Sequence, residues 1–229
     1  MRQYKHFIFD LDGTLLDTIE DIAHAITAAL HECGFNISYD REGTTKLINN
    51  GADMLVRRAL SPIAYTEDDF QRVKSVYLPY YRAFQGMACL PFPKISKTLQ
   101  ILNKNGISLA IVTNKPDELS QAIIAAKLPD IHFDFNLGHK EGYPVKPDPY
   151  LIQYIFNQTG WLPQETLFVG DSNVDLAIAK NAGIDSVLCV WGYDNYTKEL
   201  CSKANYVIQD PEELLSLAGV HDYEKDSTI

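Results

Sequence analysis

Two acidic clusters each follow a short apolar run, and carboxylates can attack phosphorus, move a proton or hold a hard cation. Residues 4–9 read Tyr-Lys-His-Phe-Ile-Phe and break at Asp10-Leu11-Asp12-Gly13-Thr14. Residues 166–170 read Thr-Leu-Phe-Val-Gly and break at Asp171-Ser172-Asn173-Val174-Asp175. If both runs are strands of one open parallel sheet, their ends lie on the same edge, where ligands bind in such sheets. Four acids converging there repel one another unless a cation neutralises them, which suits Mg²⁺ and its oxygen ligands. One carboxylate can then attack phosphorus while a second protonates the leaving alcohol and later deprotonates water. Gly13 permits a tight backbone at this point, and the Leu11 and Asp12 amides could face an anion.

Two further segments fit the same edge. Thr113-Asn114-Lys115 ends another apolar run and precedes a helical pattern, so a hydroxyl, an amide and helix N-terminal N–H groups could cradle phosphate. Lys146-Pro147-Asp148-Pro149 opens a helix, and its two prolines stiffen the backbone that aims Lys146. A lysine bound to both a nucleophilic carboxylate and a phosphoryl oxygen would stabilise the charge that moves in transfer. The four-residue spacing of Asp171 and Asp175 lets one ligate metal while the other holds a metal-bound water or orients Lys146.

The elements that must position these groups alternate from residue 90 onward. Helical patterns over residues 93–105, from 116 onward, from 148 to Gly160 and from 174 to 182 separate strand-like runs at 107–113, 133–138, 166–170, 186–190 and 206–208. Such alternation implies a Rossmann-like, mostly parallel α/β sheet sandwiched by helices. Residues 16–84 break the rhythm. Asp17-Thr18-Ile19-Glu20 has the spacing of a capping box, and apolar residues then recur at helical period from Ile19 to Cys33. Residues 52–60 and 67–84 read as further helices, and no convincing strand stands among them. A crossover between parallel strands needs only about a dozen residues, so residues 16–85 are expected to form an all-helical cap domain. Residues 1–15 and 86–220 then form the discontinuous core, and 221–229 a polar, frayed tail.

Composition bounds the partners. The chain of 229 residues carries a formal charge of −10, which disfavours nucleic acid or an anionic membrane as partner but leaves small anions open. Cys33, Cys89, Cys189 and Cys201 show neither disulfide-like nor zinc-like spacing, and the six histidines form no metal-like cluster. The first strand begins too early for a signal peptide, and no apolar run is long enough to span a bilayer, so a cytoplasmic location is expected. Trp161 and Trp191 read as packing residues. The expected assembly is a monomer or weak homodimer.

Together the four segments, in this order, resemble the haloacid dehalogenase superfamily of phosphohydrolases across nearly the whole chain. The resemblance implies that Asp10 is the nucleophile and that Asp12 is the general acid/base, with its backbone carbonyl on Mg²⁺. By the same resemblance Thr113 and Asn114 bind phosphate, Lys146 stabilises the transferred group, Asp171 ligates Mg²⁺, and Thr14 and Asp175 support the site. Dehalogenases and phosphonatases of the superfamily lack an acid at the position of Asp12. The cap stretch from Asn50 to Leu60, with Thr113-Asn114-Lys115, resembles the phosphoglycolate phosphatase branch. Gly51 would begin a cap helix whose N-terminal amides meet a substrate anion, and Lys115 would be the other positive feature for a second anionic group. That branch more often carries glycine where Asn49 stands, and Arg57 and Arg58 fall off the apolar stripe, as surface residues do. The implied function is Mg²⁺-dependent hydrolysis of a small phosphorylated metabolite, 2-phosphoglycolate among them. Alternatives are a pyrophosphatase or nucleotidase of the same family, a sugar phosphomutase, and a non-catalytic regulator that binds a phosphorylated ligand. Mutases of this kind carry a Gly-x-Ser-Arg cap loop that is absent from this sequence.

Overall fold

The computed structural model describes residues 3–48 and 51–221. In chain order the elements are β1 (His6–Phe9), β2 (Leu16–Asp17), α1 (Ile19–Glu32), α2 (Arg41–Thr45), α3 (Gly51–Leu60), α4 (Glu67–Phe84) and β3 (Leu90–Pro91). There follow α5 (Ile95–Lys104), β4 (Ser108–Pro116), α6 (Asp117–Lys127), β5 (Phe135–His139), α7 (Tyr150–Thr159) and β6 (Thr166–Gly170). The last are α8 (Asn173–Ala182), β7 (Asp185–Cys189), α9 (Lys198–Cys201), β8 (Tyr206–Ile208) and α10 (Glu213–Leu217).

Six strands form one parallel sheet in the order β5-β4-β1-β6-β7-β8. The apolar runs are continuous because both sheet faces are covered. Phe7, Phe9, Leu109, Ile111, Leu167 and Val169 pack into one core cluster. The intervening Ile8, Ala110, Val112 and Phe168 pack into a second cluster on the other face. Strand order reverses at β1, which pairs with β4 on one side and β6 on the other. Phe9 lies opposite Ile111 and Val169, so Asp10, Thr113 and Asp171 emerge side by side at the switch point.

Helices α1, α3 and α4 share a separate apolar cluster that includes Ile22, Ile26, Leu30, Val56, Phe70 and Tyr77. Leu119 of α6 joins it and ties it to the core. The sequence reading missed two details here. The connections to these helices pair as a short antiparallel ladder, Leu16 with Pro91 and Asp17 with Leu90, where no strand was expected. Two-residue strands carry too little periodicity to stand out. The short helix α2, capped by the Asp40 carboxylate accepting from Gly43 N, was equally unmarked.

The expected capping box at Asp17 does not form. Thr18 occupies the cap position without a side-chain cap bond. The Tyr193 hydroxyl accepts instead from the backbone N–H groups of Thr18 (2.6 Å) and Ile19 (3.2 Å) and donates to Asp17 (2.9 Å). At α4 a capping box does form between Thr66 and Asp69. At α7 the cap position falls on Pro149, while Asp148 accepts from Tyr150 N. Asn49, where the resembling branch more often has glycine, and residues 222–229 of the expected tail lie outside the described residues.

Candidate active site

Lys146 organises the centre. Its ammonium lies 2.6 Å from Asp10 Oδ1 and 2.8 Å from Asp175 Oδ1, with all three side chains buried. Asn114 fixes the segment that carries it: Lys146 N donates to Asn114 Oδ1 (2.8 Å), and Asn114 Nδ2 donates to Lys146 O (3.2 Å). The Asn114 side chain thereby aims Lys146 while it lines the same cavity as Asp10. Asp175 is held on its other oxygen by Ser172 N (3.0 Å) and Ser172 Oγ (2.7 Å), the capping box of α8.

Asp171 faces the same point. Its carboxylate accepts from Thr14 Oγ1 (3.3 Å) and from Tyr193 N (2.8 Å). Two glycines permit this close approach. Gly13 has φ +87°, and a Cβ there would stand 2.6 Å from Asp171 Oδ2. A Cβ on Gly192 would come within 2.4 Å of Asp171 Cβ and of the Gly13 carbonyl oxygen. Trp191, expected only to pack, also donates from Nε1 to Thr14 O (3.0 Å) and so fastens the loop after β1. Trp161 stacks on His6 with centroids 4.4 Å apart, as a packing residue does.

One carboxylate oxygen from each of Asp10, Asp171 and Asp175 lies within 4.8 Å of the others. Three buried acids face one buried ammonium, so the donor set is acidic, all oxygen and short of positive charge, which fits a hard divalent cation. The electrostatics say the same. Burial pushes the Asp10 carboxyl up to about 6 against the pull of Lys146. Burial, then the charges of Asp175 and Asp10, push Asp171 well above the usual carboxylate range. Burial disfavours the Lys146 ammonium, yet Asp10 and Asp175 hold it above its ordinary value. Among the described residues no histidine or cysteine joins such a cluster, and all four cysteines are free thiols.

Asp12 points elsewhere. Its Oδ1 accepts from Lys115 Nζ at 3.0 Å, and the same ammonium donates to the Tyr81 hydroxyl of α4 and lies 4.3 Å from that ring's centroid. Lys115 lines the cavity with its ammonium paired to Asp12. Asp10, Asp12, Thr113, Asn114, Lys115, Lys146 and Gly51 all border one cavity of about 100 Å³ between sheet edge and helices. Gly51 begins α3 and faces this cavity, as expected. Arg57 pairs with Glu67 and lies over Phe70, Arg58 donates to the Leu47 and Ile48 carbonyls, and neither lines the cavity.

Tyr77, Tyr81 and Tyr193 escaped the sequence reading. The first two sat inside an amphipathic helix where apolar spacing explains an aromatic without further role. Tyr193 had a usable signal, since it follows an apolar run that ends at the same sheet edge as Asp10.

A family model described as haloacid dehalogenase-like hydrolase matches residues 7–189. A phosphoglycolate phosphatase of Mannheimia succiniciproducens is 33% identical, the match covering 94% of this chain and 98% of the relative. One from Aquifex aeolicus is 31% identical over 93% of this chain and 96% of its own length. A crystal structure described as a predicted phosphoglycolate phosphatase from Haemophilus somnus superposes with a TM-score of 0.85 at 32% identity, covering 95% of this chain and 99% of that one. The order of the acidic segments, the parallel sheet that brings them together and these likenesses agree: the chain belongs to the haloacid dehalogenase-like hydrolase family.

Proposed function

We propose that this protein is a Mg²⁺-dependent phosphomonoesterase of small phosphorylated metabolites, with 2-phosphoglycolate the first candidate because relatives carry that name. The observation that carries the reading is Lys146 held between Asp10 and Asp175 while Asp12 borders the same cavity. Asp10 attacks phosphorus, and the bond from phosphorus to the leaving oxygen breaks. Asp12 gives that oxygen its proton. Asp12 then takes a proton from water, whose oxygen attacks phosphorus and breaks the bond to Asp10, releasing inorganic phosphate. Lys146 stabilises the charge on the phosphoryl oxygens throughout, and Thr113 with the α3 start at Gly51 frames the substrate. Asp10, Asp171 and the Asp12 carbonyl would hold Mg²⁺, which supplies Lewis-acid neutralisation of phosphoryl charge. Lys115 orients Asp12.

Residues 1–15 and 86–220 serve as the core and 16–85 as the cap in this reading. Four free thiols are compatible with a cytoplasmic location, and the proposed assembly is a monomer or weak homodimer. The test is Asp10→Asn. It should leave the urea unfolding midpoint near that of the native protein and abolish phosphate release, while the native protein traps covalent phosphate on acid quench. Substantial turnover by folded Asp10→Asn rejects the mechanism.

A further inference from the structure

The half of the cavity facing the sheet is charged, whereas the half built by the helices is not. Ile22, Ile48, Leu55, Tyr77, Leu78 and Tyr81 line that side. Among the described lining residues the only basic ones are Lys115 and Lys146, and both face carboxylates at 3.0 Å or less. The non-phosphate end of a substrate therefore meets no unpaired cation there. It meets Tyr77. This side chain is 3% exposed and lines the cavity. Its hydroxyl is not among the buried polar atoms that lack a partner, so the oxygen keeps some exposure and is a donor available at the cavity wall. Its ring is fixed by stacking on Tyr81, with centroids 5.8 Å apart and planes within 9°, and Tyr81 is in turn held by the Lys115 ammonium. Burial keeps the phenol protonated, hence a donor.

We propose that Tyr77 selects the leaving group: its hydroxyl donates to an acceptor oxygen on the non-phosphate end of a small monoester. The substrate class is then a short phosphorylated hydroxy acid or diol rather than a plain alkyl phosphate, recognised by a neutral donor among apolar walls. This rests on the phosphatase reading above.

The test compares three substrates of similar size, 2-phosphoglycolate, 2-hydroxyethyl phosphate and ethyl phosphate, on the native protein and on Tyr77→Phe with Mg²⁺ present. Only the first two offer an acceptor, and the charged one should bind the donor more strongly. Tyr77→Phe should lower kcat/KM for 2-phosphoglycolate by about 10- to 100-fold, lower that for 2-hydroxyethyl phosphate less, and leave that for ethyl phosphate unchanged. Ratios between substrates on one preparation do not depend on how much of the variant folds. Equal losses on all three substrates, or no loss on any, overturn the proposal. A native protein that hydrolyses ethyl phosphate as well as 2-phosphoglycolate also overturns it, while leaving the phosphatase reading intact. Hydrolysis of none of the three would refute that reading itself, and this inference with it.

Discussion

Replacing Lys146 with methionine removes a charge while keeping most of the side chain's volume, so the stability it loses reports on charge rather than packing. The ammonium touches Asp10 at 2.6 Å and Asp175 at 2.8 Å, all buried, with Asp171 nearby. Removing one partner of a buried ion pair costs about 3–5 kcal/mol, because the other is left desolvated and unpaired. The carboxylates can limit that cost by taking up protons, which makes it depend on pH. Asp10 is held at about 6 in the folded protein, above the roughly 4 of an unfolded chain. The folded state thus binds this proton more tightly, so the metal-free protein loses stability as pH rises from about 4 to about 6. Without Lys146 the carboxyls move higher still, and the window of loss extends upward. Urea unfolding with chelator present should therefore show Lys146→Met destabilised by about 3–5 kcal/mol at pH 8 and by less than half of that at pH 5. Excess Mg²⁺ at pH 8 should return part of the loss by supplying the missing positive charge. An equal loss at both pH values, or none at pH 8, would refute the argument that Lys146 neutralises ionised carboxylates.

Chelator should abolish turnover and Mg²⁺ restore it, while the calorimetric affinity for Mg²⁺ weakens as pH falls through about 6, where Asp10 gains its proton; pH-independent binding would exclude Asp10 from the site. Tyr193→Phe removes the hydroxyl that serves the Thr18 and Ile19 amides, so urea unfolding should show about 1–2 kcal/mol lost, as for a deleted helix cap. Its Asp171 contact comes from the backbone and should survive. Lys115→Met should lower kcat for an alkyl monoester, by at most the roughly 10²–10⁴-fold of a general acid/base, with KM unchanged. The phosphoenzyme burst with p-nitrophenyl phosphate should be spared, since that phenolate leaves without a proton; a KM effect alone would instead make Lys115 a substrate contact.

The segments at Asp10, Thr113 and Asp171 were legible because each sits where an apolar run breaks and the run itself sets the sheet, whereas Lys146 was marked by the prolines that stiffen its segment. β6 and β8 have the bounds read from the sequence. The α4 helix was equally legible, since eighteen residues of amphipathic period outweigh the proline inside it. Legibility failed where a bond joins distant segments. Asp17-Thr18-Ile19-Glu20 has the local form of a capping box, yet a hydroxyl 175 residues away takes that place. Asn114 has the chemistry of a phosphate ligand, and no local signal marks the bonds by which its side chain also holds the Lys146 backbone.

Local sequence determined the strands, the acids at their ends and hence the kind of chemistry, because side-chain period and chain breaks are properties of near neighbours. Which charges are paired was decided only in three dimensions. Lys146 reaches Asp10 and Asp175 across the switch point, and Lys115 reaches Asp12 and Tyr81 between the sheet and α4. For buried groups the free energy of an ion depends on the geometry of its nearest partners, and spacing along the chain does not specify that geometry.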